Sequence, residues 1–321
     1  MYPVVDAHCD TLSRLGKDQF DYSSGPGPIT KETLVRGFVK VQFFAAYIDE
    51  AHKPYGSLRQ ALELIHHFHC LTEEHSKGLT KILWKEDLNT TEERIGALLT
   101  IEGAEALEGS LDVLHVLFRL GVRSIGLTWN QRNLLADGSW EEGSKSGLTR
   151  FGRQVVEAMQ QMGMLVDLAH ISPTGFWDVL EVSTKPVIVS HSNCRRIREH
   201  PRNLDDRQIR ALAEQGGVMG INFCPDFLAA GMANLERVVE HIDHACQVAG
   251  TYDHVGIGSD FDGIEKTPRG LETAAAYPRL WDALSQKGYQ KEQIKAIAGD
   301  NFLRLLTLQL PSRPDCPVSV P

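Results

Sequence analysis

Three short apolar segments of the chain each end in side chains that can bind a metal ion. The first leads into His8 and Asp10, the second into His170, and the third into His191. Because successive side chains of a strand alternate between its two faces, His8 and Asp10 are predicted to project from one face, with Cys9 turned away. Two ligands on one face can bind one ion, so the pattern indicates a metal-dependent hydrolase.

The elements that must position these side chains are eight apolar segments of strand character, which alternate with segments of helical periodicity. They lie at about 3–8, 38–48, 97–102, 122–129, 164–170, 186–191, 217–224 and 254–259. This alternation predicts an α/β fold, a distorted (β/α)8 TIM-type barrel of the metal-dependent hydrolase type. We expect one catalytic barrel domain over residues 1–309 and an irregular C-terminal tail over residues 310–321.

Catalytic groups of such barrels lie at the carboxyl ends of the strands. Glu102 ends the third predicted strand and Asp260 follows the eighth, so six metal-competent side chains are expected at one mouth. Three imidazoles, one Asp and a central Glu are too many ligands for a single tetrahedral zinc with an open position. Two metal ions that share Glu102 accommodate all five.

A lone histidine is more often structural than a ligand, and other histidines of the chain have no such setting. Taken together, however, five strand ends with suitable residues make a structural explanation improbable. The remaining histidines in two helix-like segments are expected on the surface, away from the mouth: His66, His67, His69, His75, His241 and His244.

Composition excludes several classes of protein. The 321 residues carry a net charge of −9 without a basic block, which argues against nucleic acid as a partner. The six cysteines form no Cys-x-x-Cys pair, so neither a disulfide framework nor a thiolate zinc site is indicated. No apolar run is long enough to span a bilayer, and the amino terminus lacks the pattern of a secretory signal. We therefore expect a cytoplasmic protein without a membrane anchor.

Six segments in this order resemble the renal, or membrane, dipeptidase family of binuclear zinc peptidases within the amidohydrolase superfamily. The resemblance extends from Val4 to about Leu306. The segments that carry it are Asp6-Ala7-His8-Cys9-Asp10, Ile101-Glu102-Gly103, Val166-Asp167-Leu168-Ala169-His170-Ile171-Ser172, Ser190-His191-Ser192, Pro201-Arg202-Asn203 and Gly258-Ser259-Asp260-Phe261-Asp262-Gly263.

The resemblance implies two Zn²⁺ per chain, although Mn²⁺ or Co²⁺ can occupy such ligands. It assigns His8 and Asp10 to the first ion and His170 and His191 to the second, with Glu102 between them. The small-molecule substrate implied is a dipeptide, including dipeptides with a C-terminal D-residue, and a homodimer is compatible with the family. The expected nucleophile is a hydroxide that bridges the two ions.

The resemblance further implies that Asp260 moves protons and that Arg202 contacts the substrate. A planar guanidinium suits a carboxylate such as the free terminus of a dipeptide. The chain departs from the family at Trp129, where many members have a histidine that touches the substrate carbonyl. Trp129 cannot make the same contacts, and Asn130 is a candidate substitute donor.

Two alternatives to a dipeptidase follow from these observations. One is a related binuclear amidohydrolase that opens lactones or cyclic amides, since the same pair of metals serves such reactions. The other is a catalytically silent barrel used as a binding protein, which the departure at Trp129 suggests and the filled ligand positions oppose.

Overall fold

The computed structural model describes residues 1–15, 21–23, 25–74, 78–92, 94–141 and 143–314. Its strands are short and almost entirely buried, as expected for a parallel sheet covered on both faces. They are β1 (Val4–Asp6), β2 (Val39–Tyr47), β3 (Leu79–Lys81), β4 (Ile95–Glu102), β5 (Val122–Gly126), β6 (Leu165–Asp167), β7 (Ile188–Ser192), β8 (Val218–Ile221) and β9 (Val255–Ile257).

Eight of these strands form a closed parallel ring in the order β1, β2, β4, β5, β6, β7, β8, β9 and back to β1. The predicted (β/α)8 barrel is therefore confirmed, and each ring strand overlaps one of the eight predicted segments. β3 was not predicted. It pairs with residues 95–97 of β4, before the part of β4 that pairs with β5.

Helices follow most of the ring strands along the chain. They are α1 (Lys31–Arg36), α2 (Ser57–Glu73), α3 (Leu111–Arg119), α4 (Arg150–Met162), α5 (Pro173–Val182), α6 (Asp206–Glu214), α7 (Pro225–Leu228), α8 (Leu235–Ala249), α9 (Tyr277–Gln286), α10 (Lys291–Lys295) and α11 (Asn301–Gln309). Local chemistry fixes their starts: Ser172 accepts a hydrogen bond from the Gly175 amide at α5, and Asp205 accepts one from the Gln208 amide at α6.

Neighbouring residues of one strand pack into different parts of the core, as strand geometry requires. In β2, Phe43 belongs to a smaller cluster that includes Phe302 of α11, whereas Phe44 belongs to the main cluster. At the mouth the ring is tight, because a Cβ on Gly258 would lie 1.8 Å from the carbonyl oxygen of Ser190. The strand ends that carry the site are thus held close together.

The predicted tail is only partly described. Leu310 is buried, and the carbonyl of Pro311 accepts a hydrogen bond from the Lys85 amide, so the chain continues along the barrel past α11. Residues 315–321 lie outside the described residues, and the division at residue 309 stays a prediction. Across the ranges that the structure describes, every helix is too short or too polar to cross a membrane.

Candidate active site

Glu102 lies at the centre of a group of buried histidines at the mouth of the barrel. It is the last residue of β4, and its Oε1 atom lies 2.8 Å from His170 Nε2 and 3.4 Å from His191 Nε2. Its other oxygen, Oε2, lies 3.5 Å from His8 Nε2. Residues from three other strand ends therefore converge on one carboxylate.

Two further carboxylates lie on the His8 side of this group. His8 Nε2 is 3.2 Å from Asp10 Oδ2 and 3.8 Å from Asp260 Oδ1. Two sets of three side chains each bring their donor atoms within 4.8 Å of one another. One set is His8, Glu102 and His191, and the other is His8, Asp10 and Asp260. All six metal-competent side chains predicted at the mouth are thus brought together there.

The orientation of His170 directs its Nε2 towards Glu102 and His191 at the centre of the group. His170 Nδ1 lies 2.8 Å from Asn130 Oδ1, which can only accept, so Nδ1 carries the proton and Nε2 offers its lone pair. Asn130 Oδ1 also accepts a hydrogen bond from Ser139 Oγ. On the neighbouring strand, His191 Nδ1 lies 2.8 Å from Ser190 Oγ. Asn130 lines the cavity, but its carbonyl oxygen is engaged by His170 rather than open to a substrate.

Burial and mutual repulsion shift the titration of these groups. Burial, with repulsion from Glu102, raises the pKa of Asp10 to about 6, although His8 opposes the change. Burial, with repulsion from Asp10 and Glu102, raises the pKa of Asp260 to about 7. Burial lowers the pKa of His170 to about 3, so its imidazole stays neutral as a metal ligand requires. A cluster with such shifts is typical of a functional site.

The donor set fits divalent cations. Asp10 Oδ1 is buried and has no hydrogen-bond partner, which is costly for a carboxylate oxygen unless a cation or solvent meets it. Gly263 keeps space open beside it, because a Cβ there would lie 2.1 Å from Asp10 Oδ2 and 2.8 Å from Asp260 Oδ1. Imidazole nitrogens combined with carboxylates suit zinc, and also manganese or cobalt.

A cavity of about 450 Å³ opens above this group. Its volume is within the range of small-molecule sites. The residues that line it come from the loops after several strands: Asp10, Tyr47, Glu102, Trp129, Asn130, His170, residues 224–227, Asp260 and residues 263–266.

Trp129 forms an aromatic wall of this cavity. Its ring centre lies 5.5 Å from that of Tyr47, 5.2 Å from that of Trp140 and 5.9 Å from that of His170. The ammonium group of Lys53 lies 5.3 Å from the same ring, a cation–π distance. The predicted substrate contact is therefore well placed to touch a bound molecule.

Arg202 is buried next to the site rather than in the cavity lining. Its Nη2 donates a hydrogen bond to the carbonyl of His191 over 3.0 Å, and its Nε has no hydrogen-bond partner. The guanidinium carbon lies 5.6 Å from the ring centre of Phe227. Phe227 lines the cavity, whereas Arg202 is not among the described residues that line it. Substrate contact by Arg202 stays a prediction.

Two groups at the site were missed by sequence reasoning. Asn222 Nδ2 donates a hydrogen bond to Asp260 Oδ2 over 2.9 Å, and Cys224 lines the cavity. Asn222 directly follows β8, so the rule that led to the other strand ends applies to it as well. Asn222 carries a neutral amide, which the pattern of metal-ligating side chains does not include.

One expectation about the remaining histidines was wrong. His241 is fully buried, where its Nδ1 accepts a hydrogen bond from the Cys194 amide and its Nε2 lies 3.1 Å from the Leu228 carbonyl oxygen. It holds the loop after β7 against α8. Its neighbour His244 is partly exposed and paired with Asp206, and His75 lies outside the described residues.

The membrane dipeptidase family, peptidase family M19, matches residues 1–310. The chain is 31% identical to an uncharacterized dipeptidase of Schizosaccharomyces pombe, over 95% of this chain and 80% of that protein. It is 37% identical to dipeptidase verJ of Clonostachys rogersoniana, over 86% of this chain and 74% of that protein. Identity to dipeptidase 3 of Homo sapiens is 31%, over 95% of this chain and 64% of that protein.

Solved structures give the same assignment. A dipeptidase described as a metallopeptidase of family M19 has a TM-score of 0.89 and 27% identity, covering 97% of this chain and 99% of its own. A metallopeptidase from Rhodobacter sphaeroides, liganded with a phosphinate mimic of the dipeptide L-Ala-D-Ala, has a TM-score of 0.89 and 26% identity, covering 96% and 99%. The motifs, the barrel and these relatives agree: the chain belongs to the membrane dipeptidase family, peptidase family M19, and is a metal-dependent dipeptidase-family enzyme.

Proposed function

We propose that this enzyme hydrolyses the peptide bond of dipeptides and that it uses two divalent cations to do so. Zinc is the proposed metal. His8 and Asp10 would hold one cation, His170 and His191 the other, and Glu102 both. The single observation that carries the proposal is the convergence of three imidazole nitrogens within 3.5 Å of the two Glu102 oxygens. When bound, such cations lower the pKa of water and polarise a carbonyl.

Asp260 is the proposed proton carrier. Its Oδ1 faces His8 over 3.8 Å, and Asn222 holds its Oδ2, so the carboxylate is fixed at the edge of the donor group. Its pKa of about 7 is close to neutral pH, where a general base works best. Asp260 would take the proton of the attacking water and deliver it to the departing amine.

The proposed substrate class is a small dipeptide, including dipeptides with a C-terminal D-residue. The cavity volume and the aromatic wall at Trp129 suit a small, partly apolar molecule. The Rhodobacter sphaeroides relative is liganded with a phosphinate mimic of L-Ala-D-Ala, and this supports acceptance of a D-residue by the present enzyme. Arg202, with its unpartnered Nε beside the site, is the proposed contact for the substrate carboxylate.

The test is a hydrolysis screen with metal analysis in parallel. Metal-free protein reconstituted with zinc is offered L-Ala-L-Ala, L-Ala-D-Ala, their C-terminal amides and simple lactones. We expect about two zinc ions per chain, cleavage of both dipeptides, and much slower cleavage of the amides, which lack a carboxylate for Arg202. Glu102→Gln should lose zinc and activity, whereas Glu157→Gln, on the exposed face of α4, should retain both.

Each alternative predicts a different result. Cleavage of lactones without cleavage of either dipeptide would favour the amidohydrolase alternative. A folded protein that binds no zinc and cleaves none of these compounds would favour the silent barrel. Equal rates on dipeptides and their amides would remove Arg202 from substrate recognition while leaving the dipeptidase proposal intact.

A further inference from the structure

Two buried aspartates occupy equivalent places in the ring without touching the cavity. Asp6 is the last residue of β1 and is 0% exposed, and Asp167 is the last residue of β6 and is 4% exposed. Each precedes a histidine of the site by two or three residues. The sequence pattern assigns no role to either aspartate. Burial of a carboxylate nevertheless destabilises the fold unless hydrogen bonds or opposite charges compensate for it.

Asp6 connects the ends of β1 and β9. Its Oδ1 accepts hydrogen bonds from the His8 amide over 3.3 Å and from the Ser259 amide over 2.8 Å. Its Oδ2 accepts hydrogen bonds from Ser259 Oγ over 2.6 Å and from the Tyr277 hydroxyl over 2.8 Å. Four donors thus compensate for the burial of this carboxylate, and two of them belong to the residue directly before Asp260.

Asp167 connects the ends of β6 and β7 in the same way. Its Oδ1 accepts hydrogen bonds from the Ala169 amide over 3.0 Å and from the Ser190 amide over 2.9 Å. Ala169 directly precedes His170, and Ser190 directly precedes His191.

The register of the two contacts is identical. Asp6 is paired with Ile257 of β9, and Asp167 is paired with Ile188 of β7. In both cases the carboxylate reaches the amide two residues beyond its partner, and the site residue follows at the third. We call these two arrangements the aspartate bridges.

Physical chemistry explains why a carboxylate is needed at each point. The buried amides of Ser190 and Ser259 donate to the carboxylates of Asp167 and Asp6, and a buried N–H without an acceptor destabilises the fold. The residues that follow are also conformationally costly: His170 has φ 69° and Asp260 has φ 64°, in the left-handed region that favours glycine. Fixed amides directly before them hold this conformation in place.

We infer that Asp6 and Asp167 are positioning residues, which set the spacing between site residues on neighbouring strands. The Asp6 bridge fixes the amide before Asp260 relative to His8, and the Asp167 bridge fixes His170 relative to His191. This inference rests on the proposed function, because it gives the spacing a purpose in binding cations. Neither aspartate contacts a cation or the substrate; both act through the residues that do.

The probe for this inference is Co²⁺ alone, whose absorption spectrum reports the geometry and number of its ligands. Metal-free wild type, Asp6→Asn and Asp167→Asn are titrated with Co²⁺, and unfolding is measured for each. Asp87→Asn is the matched control. Asp87 is also buried and accepts hydrogen bonds from two amides, those of Leu83 and Trp84, but it lies ahead of β4, away from the mouth.

We expect the two bridge variants to bind Co²⁺ about 10- to 100-fold more weakly than wild type, with an altered spectrum. The control should be destabilised without a change in Co²⁺ affinity or spectrum. In zinc-loaded protein, kcat should fall in the bridge variants more than KM rises, since substrate contacts are retained. Wild-type Co²⁺ affinity and spectrum in folded bridge variants would overturn the inference.

A second variant covers failure to fold. If Asp6→Asn does not fold, Tyr277→Phe, which removes one donor from Asp6 and leaves the carboxylate, is measured in its place; weaker Co²⁺ binding supports the bridge and unchanged binding overturns it. The two proposals fail separately. Tight Co²⁺ binding by wild type without dipeptide hydrolysis would contradict the proposed function and leave the bridges standing.

Discussion

At the residue scale, the carboxylates of the site differ in what surrounds them. Glu102 faces three imidazoles, and Asp10 has one oxygen with no hydrogen-bond partner, so both are suited to cations. Asp260 instead has Asn222 on one oxygen, and its other oxygen is the farthest of the three carboxylates from His8. These contacts are the basis for proposing Asp260 as the proton carrier and Glu102 and Asp10 as ligands.

Replacing Asp260 tests that separation. Asp260→Asn keeps the size of the side chain but cannot take up a proton, so kcat should fall by about 10²- to 10⁴-fold. Zinc content should stay near that of wild type, because the proposed ligands are unchanged. Steady-state kinetics and metal analysis on the same preparation give both values. Full activity in this variant would remove Asp260 from the mechanism.

Trp129 offers a second test at this scale. Trp129→Ala removes the aromatic wall and should raise KM for a small dipeptide by about tenfold, which corresponds to a loss of ~1.4 kcal/mol of contact. Zinc binding should be retained, since Trp129 is not among the proposed ligands. Trp140→Ala is the matched control, because Trp140 touches Trp129 but is 60% exposed. An unchanged KM in Trp129→Ala would show that substrate binds elsewhere in the cavity.

At the scale of elements, α8 is tied to the loop after β7 by the buried His241. Burial lowers the pKa of His241 to about 4, so the folded protein keeps this imidazole neutral. Below about pH 6.5 the unfolded chain takes up a proton that the folded chain refuses, and stability therefore falls as pH drops from 6.5 toward 4. The full difference corresponds to about 3 kcal/mol.

Denaturant unfolding of metal-free protein at pH 7 and pH 4.5 measures this loss. The loss on acidification should be smaller in His241→Gln than in wild type, because glutamine has no proton to gain. His244→Gln, three residues along the same helix and partly exposed, should follow wild type. If His241→Gln and wild type lost the same stability on acidification, His241 would not be the cause of that loss.

The elements also show which features sequence reasoning could reach. The eight ring strands were predicted because each contains an apolar run, and five of them also lead into a metal-competent side chain; both signals are local. β3 was not predicted because Leu79, Thr80 and Lys81 form no apolar run. The burial of His241 was missed for another reason: it depends on Leu228 and Cys194, which reach α8 only through the tertiary fold.

At the scale of the whole molecule, the five proposed metal ligands come from four strands of the ring, β1, β4, β6 and β7, or from the loops that follow them. The convergence of these side chains could be predicted, because parallel strands of a barrel share one carboxyl end. The aspartate bridges could not, since their hydrogen bonds join residues 6 and 259 and residues 167 and 190. Sequence shows candidate donors, but the pairing of distant amides needs coordinates. The cytoplasmic location and the homodimer stay predictions.

Cations bound across four strand ends should stabilise the entire barrel. Unfolding separates the proposed ligands, which lie as far apart in the chain as His8 and His191, so zinc binds the folded state and stabilises it by mass action. At free zinc of about 100 times Kd, one independent site contributes about 2.7 kcal/mol, which raises the melting temperature of a chain of this length by several degrees. Thermal unfolding in chelator and in buffered zinc measures the shift. Glu102→Gln should lose most of the zinc-induced shift in melting temperature, and Glu157→Gln should keep it. If zinc did not change the melting temperature of the wild type, these side chains would not bind a cation.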